Sequence, residues 1–109
     1  MKKRTLLLLL SLLPLSMTAQ QKFLLRGQVV DAANDSPVSF PTTALLRDST
    51  AVAAVAADAQ GRFELSAEAA GDYRLQITMV GYNPETQPVT LRTAATDAGT
   101  IRLRQGVDI

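Results

Sequence analysis

The stretch Tyr73-Arg74-Leu75-Gln76-Ile77-Thr78-Met79 decides the fold class, because apolar and polar residues alternate through it without a break. Successive side chains of a β-strand point to opposite faces of the sheet, so the odd-numbered residues of this stretch share one face. The even-numbered residues then face water. A strand with one dry and one wet face is typical of an antiparallel sheet that packs on one side only.

Shorter segments with the same alternation lie on both sides of this stretch. They predict seven strands, near residues 23–30, 41–47, 50–57, 62–66, 72–80, 86–92 and 99–104. Clusters of turn-forming residues separate them: Asn34-Asp35-Ser36-Pro37, Asp58-Ala59-Gln60-Gly61, Gly71-Asp72 and Gly81-Tyr82-Asn83-Pro84. Short strands at roughly ten-residue spacing predict an all-β fold, a seven-stranded antiparallel β-sandwich.

Two of the seven segments have competing interpretations. Residues 51–57 are rich in alanine, the best helix former, but the segment is short and lacks the apolar spacing of a helix. A strand is therefore favoured there. Pro41 cannot donate a hydrogen bond to a ladder, so the strand around it is expected at a sheet edge or at a bulge.

The N-terminal residues are typical of a secretory signal peptide. The basic start Met1-Lys2-Lys3-Arg4 precedes a leucine-rich run at residues 6–13, and cleavage is expected after Ala19. The run is shorter than the ~20 apolar residues that span a bilayer, although an uncleaved anchor is the alternative. We expect a helical signal peptide at 1–19, a lead-in at 20–25, one domain at 26–104 and a tail at 105–109.

Composition restricts the chemistry of the exported chain. Without Lys2, Lys3 and Arg4 it has eight basic and ten acidic side chains, a net charge of −2, which argues against nucleic-acid binding. The sequence contains no His and no Cys. This excludes disulfides, a lipid-anchored lipoprotein, Ser-His-Asp and Cys-His catalysis, and the commonest zinc sites. We expect no enzymatic activity and no cofactor.

The carboxylates are interpreted as turn-stabilising groups. Asp31, Asp35, Asp58 and Asp72 lie at predicted strand ends, and a catalytic carboxylate pair is the alternative. Asp31, Asn34 and Asp35 also suggest a calcium site near Asp58, but their spacing lacks the D-x-[DN]-x-[DN]-G pattern, so no metal is expected.

Two further groups of residues raise the question of a binding surface. Tyr82 is expected to cover the end of the sandwich with its hydroxyl bonded to the backbone, and an exposed anchor for a partner or glycan is the alternative. Four outward arginines would form a charged stripe if their strands were neighbours, and a solvated sheet face otherwise: Arg74, Arg92, Arg102 and Arg104.

An ordered series of short motifs resembles the carboxypeptidase regulatory-like domain, a transthyretin-like (prealbumin-like) Greek-key sandwich. The series is Gly27-Gln28-Val29-Val30-Asp31, Pro37-Val38-Ser39-Phe40, Asp58-Ala59-Gln60-Gly61-Arg62-Phe63-Glu64-Leu65, Gly71-Asp72-Tyr73-Arg74-Leu75 and Val80-Gly81-Tyr82. The motif residues are Gly27, Asp31, Pro37, Asp58, Gly61, Phe63, Gly71, Tyr73, Gly81 and Tyr82. Ala57 departs from the pattern, because a Thr commonly precedes the Asp of the central turn.

The resemblance implies a role at the cell envelope. In similar proteins this domain follows a signal peptide and precedes the plug and barrel of an outer-membrane receptor, often TonB-dependent. We therefore expect a non-catalytic interaction module in the periplasm of a Gram-negative bacterium, with an outer-membrane receptor or barrel component as its protein partner. The chain would be a truncated receptor or a stand-alone domain. The alternative is a carbohydrate-binding or adhesion module, which predicts exposed aromatic side chains.

Overall fold

The computed structural model describes residues 22–106, whose strands form two sheets that pack face to face. The strands are β1 (Phe23–Asp31), β2 (Thr42–Arg47), β3 (Thr50–Ala56), β4 (Arg62–Ala67), β5 (Gly71–Thr78), β6 (Glu85–Leu91) and β7 (Ala95–Leu103). One sheet has the order β4-β1-β7 and the other the order β3-β2-β5-β6. The predicted seven-stranded sandwich is confirmed over these residues, and the predicted signal peptide lies outside them.

Alternation along each strand builds the core between the sheets. In β4, Phe63, Leu65 and Ala67 are buried while the residues between them are exposed, and β5 repeats this pattern from Tyr73 to Ile77. The fully buried centre consists mainly of leucines from both sheets, with Leu25, Leu45, Leu65, Leu75, Leu91 and Leu103 all at 2% exposure or less. Burial of these apolar surfaces is the main favourable term for folding.

One strand pair departs from the antiparallel prediction. β1 pairs with β7 in parallel, from Leu24 opposite Ala95 to Asp31 opposite Leu103, whereas the other strand pairs are antiparallel. Alternation reports which face a residue takes and carries no information on strand direction, so the sequence pattern could not reveal this. β7 also begins four residues earlier than predicted, at Ala95 rather than 99, with a register shift between Arg26 and Gly27.

The edge position predicted around Pro41 is wrong. β2 lies inside its sheet, between β3 and β5, and begins at Thr42, so Pro41 stands just before the ladder and its missing N–H breaks no strand hydrogen bond. Its carbonyl still accepts a hydrogen bond from the Ala57 N–H at 2.8 Å. The register shift in the pairing of β2 with β3 falls opposite Leu45 and Leu46, where β3 has an extra residue. The alanine-rich segment is a strand, as favoured, and it is β3 that forms the edge.

The turn between β3 and β4 depends on a glycine. Gly61 has a φ of +77° and is buried, and a Cβ at this position would collide with the carbonyl oxygens of Val29 and Val38. Its own carbonyl accepts a hydrogen bond from the Val29 N–H at 2.8 Å. Because a side chain is disfavoured here by both backbone conformation and space, only glycine lets this turn lie against β1.

We expect Leu45→Ala to lower the free energy of unfolding by about 2–5 kcal/mol, because Leu45 is fully buried and the truncation leaves a cavity between the sheets. Urea denaturation followed by circular dichroism measures this. Val80→Ala is the matched control: Val80 is 91% exposed, so the change should stay within about 0.5 kcal/mol. Equal effects of the two substitutions would contradict the described core.

Candidate interaction site

Most of the motif residues gather at one end of the sandwich. There the end of β1, the turn between β3 and β4, and the loop after β5 come together. This end carries Asp31, Pro37, Asp58, Gly61, Gly81 and Tyr82. Gly71 and Tyr73 lie at the opposite end, where β5 begins.

Gly27 and Phe63 form a packing pair in the three-stranded sheet. They lie opposite each other on β1 and β4. A Cβ on Gly27 would come within 2.6 Å of the Phe63 ring, so the ring covers the glycine backbone. Phe63 is itself only 5% exposed, which makes this pair part of the core rather than a binding surface.

The Asp31 cluster, made of Asp31, Tyr82 and Gln105, joins the two sheets at the first end. The Tyr82 hydroxyl donates to Asp31 Oδ2 at 2.8 Å, and Gln105 Nε2 donates to the same oxygen at 3.1 Å. The Ala33 N–H donates to Oδ1 at 2.7 Å. Tyr82 covers the end of the sandwich half-buried, but the expected backbone partner for its hydroxyl is wrong, since the acceptor is a carboxylate.

These hydrogen bonds favour the charged form of Asp31. The bond from the Ala33 N–H, followed by those from Tyr82 and Gln105, holds the pKa of Asp31 below its ordinary value of 3.8, against the opposing effect of burial. The hydrogen bond to Asp31 also raises the pKa of Tyr82 above 10.0. A carboxyl group acting as a general acid needs a raised pKa, so Asp31 is tuned in the opposite direction.

We expect the Asp31 cluster to make the protein sensitive to acid. Because the pKa of Asp31 is lower in the folded state, its contribution to stability is complete above about pH 4 and is lost as the pH falls through the lowered value. Urea denaturation between pH 2.5 and 7 should show a shallower acid limb for Asp31→Asn and for Tyr82→Phe than for the wild type. Asp35→Asn is the control, since Asp35 lies exposed in the same loop. An unchanged limb in both cluster variants would contradict this role.

The residues considered for calcium do not converge. Asn34 Oδ1 accepts from the Ser36 N–H at 2.9 Å, and Asp35 pairs with Arg102 at 3.1 Å. Asp58 Oδ1 instead accepts from the N–H groups of Gln60 and Arg62, both at 2.9 Å. Within residues 22–106, no group of three or more potential metal-ligating side chains comes together.

The four outward arginines do not form one stripe. Arg74 lies on β5 and Arg92 directly follows β6, so both belong to the four-stranded sheet. Arg102 lies on β7 and Arg104 follows it, at the other sheet. The four arginines therefore lie on the solvated faces of two different sheets.

A groove lies between the free edges of β3 and β4. These strands are joined by residues 57–61 but belong to different sheets. A cavity of about 550 Å³ lies between them. We call it the alanine groove; it is lined by residues 52–54 of β3, residues 66–69, and Lys22, Arg47 and Tyr73.

The backbone of β3 presents hydrogen-bonding groups to this groove. The Ala57 N–H donates to the Pro41 carbonyl. Because hydrogen-bonded pairs alternate along an antiparallel ladder, the backbone N–H and C=O groups of Val55 and Ala53 also point toward β2. The N–H and C=O groups of Ala54 and Ala56 therefore point away from it. Within residues 22–106 they have no backbone partner. Val29 of β1 and Gly61, which directly precedes β4, form a hydrogen-bonded pair. By the same alternation along β4, the backbone N–H and C=O groups of Ser66 point away from β1.

β3 differs from the other sheet edges in its residues. β6 carries Pro88, β7 carries Asp97 beside its register shift, and β4 carries Arg62 and Glu64, all features that discourage strand addition. β3 (Thr50–Ala56) has neither a charge nor a proline. The feature of β3 that limits strand addition is a bulge. Leu45 pairs with Ala53 but Leu46 pairs with Ala51, which leaves Val52 unpaired.

Sequence reasoning did not single out Arg47, which closes one end of the alanine groove. Its guanidinium lies 4.7 Å from the centroid of the Tyr73 ring and donates to the Tyr73 hydroxyl at 3.1 Å. The Tyr73 hydroxyl in turn donates to the Ala69 carbonyl at 2.6 Å. A usable signal was present, since Arg47 shares a strand face with the buried Thr43 and Leu45. A charged residue at an inward position of a strand end needs a polar partner.

The fold places the chain in the transthyretin-like class of β-sandwiches, and comparison with known proteins agrees. The sequence pattern of the carboxypeptidase regulatory-like domain matches residues 25–104. The chain therefore belongs to the carboxypeptidase regulatory-like domain family. No curated protein matches the chain well enough to support a comparison. In residues 22–106, no helix is long and apolar enough to cross a membrane.

Several solved structures share the fold at low sequence identity. The 5-hydroxyisourate hydrolase of Klebsiella pneumoniae has a TM-score of 0.59 and 18% identity over 78% of this chain and 92% of its own. The Bacillus anthracis TIE protein has a TM-score of 0.63 and 18% identity over 77% of this chain but only 17% of its own. BcpA, the major pilin subunit of Bacillus cereus, has a TM-score of 0.58 and 14% identity over 79% and 31%. These likenesses show the fold alone.

Proposed function

We propose that this chain is a non-catalytic, exported interaction domain that pairs the edge of β3 with a strand of a protein partner. The partner belongs to an outer-membrane receptor system of the TonB-dependent type, and the domain meets it in the periplasm. The observation that carries the proposal is the uncharged edge of β3, whose Ala54 and Ala56 direct N–H and C=O groups outward.

Strand addition at this edge has a direct physical basis. An extended segment that aligns with β3 gains backbone hydrogen bonds and extends the four-stranded sheet. The small side chains of β3 leave the approach open, because alanines at positions 51, 53, 54 and 56 project only a methyl group. The other three edges carry a proline or charges in their strands, so β3 is the favoured position.

The absence of catalysis in this proposal is supported by the chemistry of the chain. The whole sequence lacks His and Cys. The carboxylates at strand ends have structural partners, since Asp58 accepts two backbone N–H groups and Asp72 accepts from the Thr90 hydroxyl. The pKa of the buried Asp31 is lowered, which opposes a role as a general acid. The hydrolase among the similar structures shares only 18% identity.

The envelope location is supported by the N-terminal sequence and by the resemblance of the motifs to known domains. The basic and leucine-rich start is typical of an export signal. The receptor assignment extends the resemblance of the sequence to domains that precede an outer-membrane plug and barrel.

The carbohydrate-binding alternative receives less support from the aromatic side chains. Tyr73 and Phe63 are buried in the core. The Tyr82 hydroxyl is engaged by Asp31, and Phe23 packs half-buried against the core. Phe40 is the aromatic residue left largely exposed, at 61%. One exposed ring is a small platform for a sugar compared with the open edge of β3.

Site-specific photo-crosslinking in cells tests the proposed function. Benzoylphenylalanine in place of Ala56, in the full chain with its N-terminal segment, should give an adduct whose mass-spectrometric identification is an outer-membrane receptor component. The same group in place of the exposed Thr100 of β7 is the control and should give none.

Ala54→Pro sharpens this experiment. It removes an N–H that points away from β2, so the ladder of β3 survives while strand addition is blocked. We expect it to abolish the adduct from position 56. Equal adducts from positions 56 and 100, or an adduct that persists with Ala54→Pro, would contradict the proposal.

A further inference from the structure

We infer that the alanine groove binds an extended peptide segment that carries a carboxylate, and that Arg47 and Lys22 receive this carboxylate. This inference rests on the proposed function and specifies the chemistry of the partner strand. It combines two features that lie side by side: the free edge of β3 and a cationic end of the same groove.

The shape of the groove follows from its small residues. Ala53 and Ala54 on one side, and Ala67 and Ala69 on the other, leave space where larger side chains would fill the gap between the two sheets. Both flanking edges offer backbone groups, through Ala54 on β3 and Ser66 on β4. A strand in this groove therefore has hydrogen-bonding positions along its length.

The charges of the groove lie at the end near β5. The salt bridges among residues 22–106 are Arg26 with Glu64 and Arg102 with Asp35, so neither Lys22 nor Arg47 has an acidic partner there. Glu68 also lines the groove, which leaves the three side chains with a net charge of +1. The unpaired cations favour an anionic group on the bound segment over a cationic one.

Arg47 is held in place before a ligand arrives. The Tyr73 hydroxyl and ring fix its guanidinium, and Nη2 also donates to the Ala70 carbonyl at 3.4 Å. A guanidinium has five N–H donors, so several remain for a carboxylate. Because the side chain is already ordered, binding costs less conformational entropy than for a free arginine.

The register sets the length of the bound segment. Arg47 pairs with Thr50 at one end of the hairpin, and Ala56 lies at the other end of β3. A strand rises about 3.3 Å per residue, so roughly seven residues span this distance. The carboxylate is expected near the end of the segment that lies beside Thr50.

A second copy of this chain fits the groove less well than an acidic segment. Among residues 22–106, β3 itself is the free edge strand without charge, and it contains no carboxylate between Thr50 and Ala56. Pairing of two β3 strands would therefore leave Arg47 and Lys22 without an anionic partner along the strand.

Peptide binding to the purified exported chain, residues 20–109, tests the inference. The probe is a fluorescein-labelled seven-residue peptide in which valine and glutamate alternate, and the matched probe has lysine in place of glutamate. Fluorescence anisotropy at 20 mM and 150 mM salt should show binding of the acidic probe, weaker at high salt, and at least about 10-fold weaker binding of the lysine probe.

Five variants locate the binding site. Lys22→Gln and Arg47→Gln should each weaken binding of the acidic probe by up to about 5-fold. Arg47→Lys should lose less affinity than Arg47→Gln because it retains the charge. Ala54→Pro should weaken binding of the acidic probe by at least about 10-fold, whereas Ala54→Gly keeps the N–H, adds no bulk to the groove and should have little effect. Circular dichroism confirms that each variant is folded.

The outcomes separate this inference from the proposed function. Equal binding of both probes, weakened by Ala54→Pro, would overturn the carboxylate preference while the strand-addition function stands. Acidic binding that ignores Ala54→Pro, or no binding of either probe at millimolar concentration, would overturn the groove as the site. A dimer in sedimentation that Ala54→Pro dissociates would assign the groove to a second copy and also overturn the inference.

Discussion

Apolar contact between the inner faces of the two sheets is the interaction on which this molecule depends. The sequence has no cysteine, so no disulfide ties the layers together. Instead, fully buried leucines from both sheets meet at the centre, including Leu25 and Leu65 on one side and Leu45 and Leu75 on the other. A domain of this size buries a modest share of its surface, so this single core has to carry most of the stability.

At each end of the sandwich, a charged side chain at an inward position needs a polar partner. Strand alternation carries a charged residue to an inward position at each end, Asp31 at the close of β1 and Arg47 at the close of β2. In each case a tyrosine hydroxyl supplies the partner, with Tyr82 donating to Asp31 and Tyr73 accepting from Arg47. Buried charge is tolerated because it is hydrogen-bonded. The same solution therefore closes one end around an anion and the other around a cation.

The composition of β3 links stability to the proposed interaction. Alanines contribute little to the core, and an uncharged edge strand exposes backbone groups that most sheets protect. The structure limits this exposure with the bulge at Val52 and with the neighbouring β4 edge, so the open part is short. A weakly packed edge beside an ordered arginine is suited to binding a strand from another protein. The alanines that weaken β3 as a structural element are thus the residues that make the groove accessible.

The sequence by itself determined the sandwich, the positions of its strands apart from the start of β7, and the turn at Gly61, because alternation and turn chemistry are local properties. It also pointed to Asp31 and Tyr82 through their motifs, although not to their contact across 51 residues. Tertiary structure alone decided the parallel pairing of β1 with β7, the interior position of β2 and the edge position of β3. Neighbour order and strand direction depend on the path of the whole chain, and no residue pattern within a single strand records them. The alanine groove arises where two such non-local edges meet, which is why Arg47 and Lys22 became a site only in three dimensions.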